Sequence, residues 1–326
     1  MTLLHSKVVA HSNIALAKYW GKADIAENLP AVPSLSMTLD GMRTVTSVTF
    51  EPTLEADEAT LDDAVVSGRP LERITRLLDA VRARAGVTAR ARVESSNDFP
   101  TASGLASSAS GFAALALAAV RALGLELTAA QISGHARAAS ASAARSLFGG
   151  FVALPARGRE AEPVAPAEHF PLFMLVAVTT SGPKSVGSTE GMQRTARTSP
   201  YYPAWLEHAP RVYEAARSAV LARDLPRLGE AMEQSALMMH ASMFAAEPGI
   251  VYFTPATLAA MQAVRDLRAR GTAAYFTMDA GPHVKVLTGP PDADRVEREL
   301  TQVPGVVRVI RCGIGPGAYV IGGRGE

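Results

Sequence analysis

Residues able to do phosphate or acid–base chemistry fall in four short stretches. NDFPTASGLASSASG (97–111) crowds Ser, Thr, Ala and Gly directly ahead of a long apolar run. It admits two readings, a flexible turn with a good helix start or a cradle whose backbone N–H groups face an anion. The second follows because a helix N-terminus leaves its first N–H groups unpaired and carries partial positive charge. Neither G-x-x-x-x-G-K-[ST] nor G-x-G-x-x-G occurs there. NIALAKYWGK (13–22) sets Lys18, Tyr19, Trp20 and Lys22 within five residues. They are either ordinary core and solvated side chains or a pocket offering two ammonium groups and a phenol. SASAARS (140–146) spaces Ser142, Arg145 and Ser146 at i, i+3 and i+4. On a helix these share one face, where an arginine fork grips a carboxylate or phosphate, or stands in solvent beside helix caps. FTMDAGPHV (276–284) places Asp279 at the end of an apolar strand, just before Gly281-Pro282. That is a turn acid or a catalytic one.

The elements that must position these groups are legible in the hydrophobic pattern. LERITRLLDAVRARAG (71–86) has Leu71, Ile74, Leu77, Leu78 and Val81 on one face and Gly86 as a stop, an amphipathic helix. RTVTSVTF (43–50) and VTARARVES (87–95) alternate and read as strands, the second leading straight into the Ser/Gly stretch. Residues 104–122 read as a buried helix, 129–147 as a second helix and 149–154 as a short strand. A Pro- and charge-rich segment (155–171) follows, and a soft domain boundary is expected there. Beyond it come a strand at 172–178, helices around 209–222, 226–243 and 255–270, and strands at 273–278, 283–288 and 306–310. Thr254 ahead of Pro255 caps the last of these helices and Gly271 ends it. The pattern predicts an α+β fold in two halves, residues 1–170 and 171–326.

Charge and composition exclude other classes. The net charge is +1, no long basic block occurs, and the Arg-rich run 82–92 reads as a solvated face, so nucleic acid is not expected as a partner. The single cysteine, Cys312, fits a reducing compartment. With no secretory leader and no apolar run of membrane length, a cytoplasmic protein is expected. No Rossmann fingerprint supports a dinucleotide oxidoreductase. The seven histidines form no spaced ligand set, so no structural metal is expected. His240 beside Met238 and Met239 reads as a helix-packing residue.

NIALAKYWGK, NDFPTASGLASSASG, SASAARSLFGGFV, GSTEGM (187–192) and FTMDAGP together, in this order over nearly the whole chain, resemble the diphosphomevalonate decarboxylases of the GHMP kinase superfamily. The resemblance implies a two-domain GHMP kinase-like fold, with an N-terminal half like ribosomal protein S5 domain 2 and a ferredoxin-like C-terminal half. It implies ATP-dependent phosphorylation of the tertiary C3 hydroxyl of mevalonate 5-diphosphate, then loss of phosphate and CO2 to give isopentenyl diphosphate. By the same resemblance Asp279 is the catalytic acid–base group, Arg145 binds near the substrate carboxylate, and Lys18 stands near the transferring phosphoryl. Tyr19, Lys22, Ser140, Ser142, Ser188 and Thr189 match substrate-binding positions. Asn97, Gly104, Leu105, Ala106, Ser107 and Ser108 match the ATP-binding ones. ATP with Mg2+ carried on the nucleotide, and a homodimer, are implied likewise.

The chain departs from the family pattern at Ala23, at VPSLS (32–36), at the alanines of SASAAR and at Thr189. Two fewer basic groups near the phosphate tail leave mevalonate 5-phosphate as the alternative substrate. A non-catalytic nucleotide-binding sensor is the other class considered, and the presence of Asp279, Arg145 and Lys18 argues against it.

Overall fold

The structure, a computed structural model, describes residues 4–99, 107–179 and 185–323. Its first half runs β1 (Leu4–Ala17), β2 (Lys22–Asp24), β3 (Leu29–Pro30), β4 (Ser34–Glu51), β5 (Glu58–Leu61), β6 (Ala64–Val65), α1 (Arg69–Ala85) and β7 (Arg90–Asn97). There follow α2 (Ser107–Ala122), α3 (Ala129–Ala139), a 3-10 turn (Ala141–Leu147), β8 (Phe151–Leu154) and β9 (Glu162–Ala165). The second half holds β10 (Phe173–Val178), α4 (Ser188–Thr198), α5 (Tyr202–Ala222), α6 (Leu225–Phe244) and α7 (Pro255–Ala269). It closes with β11 (Ala274–Met278), β12 (Val284–Thr288), α8 (Ala293–Gln302), β13 (Arg308–Cys312) and β14 (Tyr319–Gly323).

Two main sheets result, as an α+β fold requires. The larger runs β14-β1-β4-β7-β5-β6, with β8 and β9 joined to the far end of β4; the smaller runs β11-β12-β10-β13. Residues 171–326 were expected to form the second half, yet β14 pairs antiparallel with β1 in the first sheet. That pairing covers the outer edge of β1, whose N–H and C=O groups would otherwise be left open.

Helices α1 and α2 pack on one face of the larger sheet, with Leu77, Leu78 and Val81 meeting Val8, Val48 and Phe50. On the other face Ile14, Leu16, Leu35 and Phe151 share a core with Met174 and Val176 of β10, Val212 of α5 and Met232 of α6. The two sheets are therefore joined through one apolar layer that contains α5 and α6. Because side chains alternate along a strand, Leu175 and Ala177 of β10 point the other way, into a third cluster with α7 and α8.

Three departures from the sequence pattern have local causes. The helix expected over 129–147 is broken at Ser140, whose φ −153° and ψ 117° are extended, so α3 ends and a 3-10 turn begins. Serine competes for backbone hydrogen bonds and weakens a helix interior, and here Ser140 and Ser142 hydroxyls lie 3.2 Å apart. The Arg-rich run is not wholly solvated: Arg82 is buried and forks onto Asp57 at 2.7 and 2.9 Å. Helix α5 starts upstream of the expected 209, passing through Pro210. By contrast, the Thr254 capping box opens α7 as expected, with Thr257 as the reciprocal partner.

Helix α6 approaches β11 so closely that only glycine fits at 229, where an added Cβ would fall inside the Tyr275 ring. Gly229→Ala is expected to destabilise the fold by about 1–3 kcal/mol, read as a lowered urea midpoint with an unchanged slope.

Candidate active site

The strand that ends at Ala17 delivers Lys18 into the region between the sheets. Its backbone N–H donates to Ser235 Oγ of α6 at 2.8 Å, and its side chain is 2% exposed. Lys18 Nζ lies 2.6 Å from Oδ1 of Asp279, one residue beyond β11. The second carboxylate oxygen, Oδ2, faces Lys285 Nζ at 3.1 Å, and Lys285 is fully buried. Register explains the meeting. Thr277 of β11 pairs with Lys285 of β12, and Asp279 stands two residues past Thr277 on the same face of the hairpin. That face looks toward α6, since Tyr275 and Leu287 on it join the core shared with the first sheet.

Arg145 reaches the same region from the 3-10 turn. Of the two readings, an anion-gripping fork or a solvated side chain, the second does not hold, since Arg145 is 2% exposed. Its Nη1 donates to Ser34 Oγ at 2.7 Å, and Nη2 and Nε approach Asn13 Oδ1 at 3.3 and 3.4 Å. Asn13 in turn donates through Nδ2 to Ser142 O and Ser146 Oγ, at 3.0 and 2.8 Å. A register shift in β1 between His11 and Asn13 marks the bulge that turns Asn13 this way. The partners of Arg145 are neutral, so its charge is oriented but not cancelled.

The electrostatics follow from burial and the charge count. Burial by itself raises the Asp279 carboxyl. Lys18 and then Lys285 outweigh it and hold Asp279 well below the usual carboxylate range. Burial, with smaller contributions from Lys285 and Arg145, lowers Lys18 to about 8 against the pull of Asp279. Arg145 falls to about 10 through burial and stays cationic. Three cations (Lys18, Lys285, Arg145) against one anion leave the cluster at +2, a setting for an anionic ligand. The Tyr19 hydroxyl is buried with no hydrogen-bond partner among the described residues, and burial pushes its ionisation up. An orphaned phenol beside uncancelled guanidinium charge fits a ligand oxygen.

The other described residues of the expected set sit on β2, β7, α2 and α4 and at the start of the 3-10 turn. Lys22, in β2, is half-buried and lowered by burial and by Arg73. Arg73 of α1 donates to Ala139 O at 2.8 Å, directly before Ser140, and lies over the Phe112 ring. Ser188 and Thr189 open α4, whose Gly191 and Met192 pack on Trp20. Asn97 ends β7 and accepts from Thr44 Oγ1 at 2.6 Å. Thr44 is 2.7 Å from Ser110 Oγ of α2, which is 3.2 Å from Ser12 Oγ. Ser107 begins α2 and Ser108 is exposed there. Gly104, Leu105 and Ala106 lie outside the described residues. Helix α2 has no acidic residue in its first turn, and a helix end of that kind favours phosphate.

Sequence reasoning missed Asn13, Ser34, Arg73 and Lys285. Asn13 opens a stretch already singled out, whereas Lys285 carried no signal beyond a charge inside an apolar strand. His240, read as a packing residue, is fully buried with its ring 4.5 Å from Phe253. It also feels Lys18 and Asp279, and burial first and Lys18 second lower it to about 3, so the ring is neutral. Among the described residues no group of three or more His, Cys, Asp or Glu is placed to hold a metal ion. No described helix is long and apolar enough to cross a membrane.

Lys18 is charged below about 8 and neutral above it. Asp279→Asn removes the carboxylate charge that raises it, so the Lys18 titration is expected to move down. A 13C NMR titration of the lysine side chain measures it; an unmoved or raised titration would contradict the pairing.

Comparison with known proteins adds to this geometry. The family model described as "Diphosphomevalonate decarboxylase-like N-terminal domain" matches residues 10–165, and "Mevalonate 5-diphosphate decarboxylase C-terminal domain" matches residues 174–308. A crystal structure of mevalonate diphosphate decarboxylase from Staphylococcus aureus is 38% identical, with a TM-score of 0.93, over 98% of this chain and 99% of that one. A structure described as "MDDEF in complex with MVAPP, AMPPCP and Magnesium" is 40% identical, with a TM-score of 0.90, over 98% and 99%. Diphosphomevalonate decarboxylase of Candida albicans is 34% identical over 96% of each chain.

Proposed function

The chain belongs to the diphosphomevalonate decarboxylase family, and from that premise we propose that it carries out the ATP-dependent decarboxylation of mevalonate 5-diphosphate. The observation that carries this reading is the Asp279 carboxylate held between two buried ammonium groups, with Arg145 oriented nearby and uncancelled. One product is isopentenyl diphosphate; ADP, phosphate and CO2 are the others.

Asp279 accepts the hydrogen bond of the C3 hydroxyl. Because its proton affinity is depressed by Lys18 and Lys285, it is a weak base. The hydroxyl proton therefore passes to it late, as the C3–O–P bond forms and the bond to the leaving ADP breaks. Lys18 stabilises the transferring phosphoryl charge. Arg145, aligned by Asn13 and Ser34, holds the substrate carboxylate. A guanidinium keeps its protons, so the carboxylate stays ionised until C–C cleavage sends its electron pair toward C3 as phosphate departs. Tyr19, Lys22, Ser140, Ser142, Ser188 and Thr189 bind the substrate's carboxylate and phosphates. Arg73 adds a basic group beside Lys22, where position 23 lacks one. Asn97 and the stretch Gly104–Ser108 take the nucleotide phosphates. Magnesium, when bound with the nucleotide, neutralises phosphate charge. The reading includes a cytoplasmic homodimer.

With ATP and mevalonate 5-diphosphate the protein is expected to release CO2, phosphate and ADP in equal amounts; no release would favour a nucleotide-binding sensor. Asp279→Asn is expected to lower kcat by about 10²–10⁴-fold with nucleotide binding retained. Arg145→Lys loses the bidentate fork and is expected to lower kcat/KM markedly. In side-by-side kinetics the diphosphate is expected to surpass mevalonate 5-phosphate in kcat/KM. The reverse order would assign the monophosphate.

A further inference from the structure

Lys285 has no role in the sequence pattern, yet its placement is costly. All five residues of β12 are buried, and Lys285 is 0% exposed. A buried ammonium costs several kcal/mol unless paired, and an apolar residue of like size is often as stable or more so. A strand built only for packing would carry Val or Met here, like Val284 and Val286 on its opposite face. The charge instead faces the site, 3.1 Å from Asp279 Oδ2, with the His283 carbonyl 3.5 Å away. Among the described residues Thr277, directly across the ladder, has no hydrogen-bond partner for its own buried hydroxyl and does not hold the ammonium.

We propose that Lys285 is a positioning residue for the reaction: it faces Asp279 through Oδ2 and shares its negative charge, so that the group around Lys18 and Asp279 keeps a net positive field for the transferring phosphoryl. The argument rests on the functional reading above and on a charge count. With Lys285 the Lys18–Asp279–Lys285 group carries +1; with an apolar residue there, Lys18 and Asp279 form a neutral pair and the ammonium is tied to it. Lys285 also leaves Oδ1 shared between Lys18 and the substrate hydroxyl, because a carboxylate oxygen has two acceptor directions. When the proton of the C3 hydroxyl arrives, Asp279 becomes neutral and no longer offsets either ammonium, so the fields of both Lys18 and Lys285 act on the transferring phosphoryl. No further reactant is required. The charged and titratable groups facing Lys18 are Asp279 after β11, Lys285 on β12, Arg145 in the 3-10 turn and His240 on α6.

Lys285→Met keeps the volume and removes the charge. It is expected to lower kcat by about 10–100-fold while KM for mevalonate 5-diphosphate stays within about threefold. The melting temperature should be equal or higher. The Lys18 titration, followed by 13C NMR without substrate, should move upward from about 8, because a neighbouring positive charge is lost. Unchanged kcat with an unmoved titration would overturn the proposal. So would a loss of activity with a lowered melting temperature and an unmoved titration, which marks a structural role. Turnover by the unaltered protein is measured first: its absence sinks the functional reading, whereas active protein with an indifferent Lys285→Met sinks only the role of Lys285.

Discussion

One carboxylate shared among buried cations is the constraint on which this molecule is organised. Bringing Lys18, Lys285 and Arg145 out of water is unfavourable, and a single acid, Asp279, offsets part of it. The residual positive charge is what an anionic substrate and a triphosphate would complete. The groups come from distant parts of the chain: the end of β1, a 3-10 turn in the first half, and a hairpin in the second sheet. The apolar layer between the sheets exists in part to hold them there. Helix α6 lies at its centre, fixing the Lys18 backbone through Ser235, the β11 backbone through Glu233 at Phe276 N, and the hairpin through Gly229 against Tyr275.

Much of this was legible in the sequence, and the gaps have physical reasons. The hydrophobic pattern gave α1, α2, α6 and α7 and the strands of the second sheet: α1 has one apolar face and a glycine stop, α2 is apolar on every face, and β11 and β12 are buried throughout. It failed at Ser140, where side-chain hydroxyls compete with the helix, and at Arg82, whose partner Asp57 lies far away in sequence. The short helices α4 and α8 expose most of their polar residues and went unread. Lys18, Tyr19, Arg145 and Asp279 stood out because their stretches match a family pattern, and the fold brings them together. Asn13 and Lys285 did not. An asparagine that aligns an arginine, or a lysine buried in a strand, becomes meaningful only when the partner across the fold is in view.

The site is stiff where it holds charge. Asn13 makes two donations while aligning Arg145, so the guanidinium sits in a network whose members are each fixed by others. Such preorganisation lowers the reorganisation needed as charge moves during a reaction. The neutral His240 ring, packed among Phe244, Tyr252 and Phe253, stands beside the Lys18–Asp279 pair without adding charge to it.

The return of β14 to the edge of β1 bears on how the chain is made. On the ribosome β1 emerges first and β14 last among the described elements, so the strand that delivers Lys18 waits with one bare margin while every described element between them is made. A nascent chain in that condition is open to mispairing with neighbours. Completion of the larger sheet, and with it the shielding of its first strand, is thus deferred until the last described strand has been made.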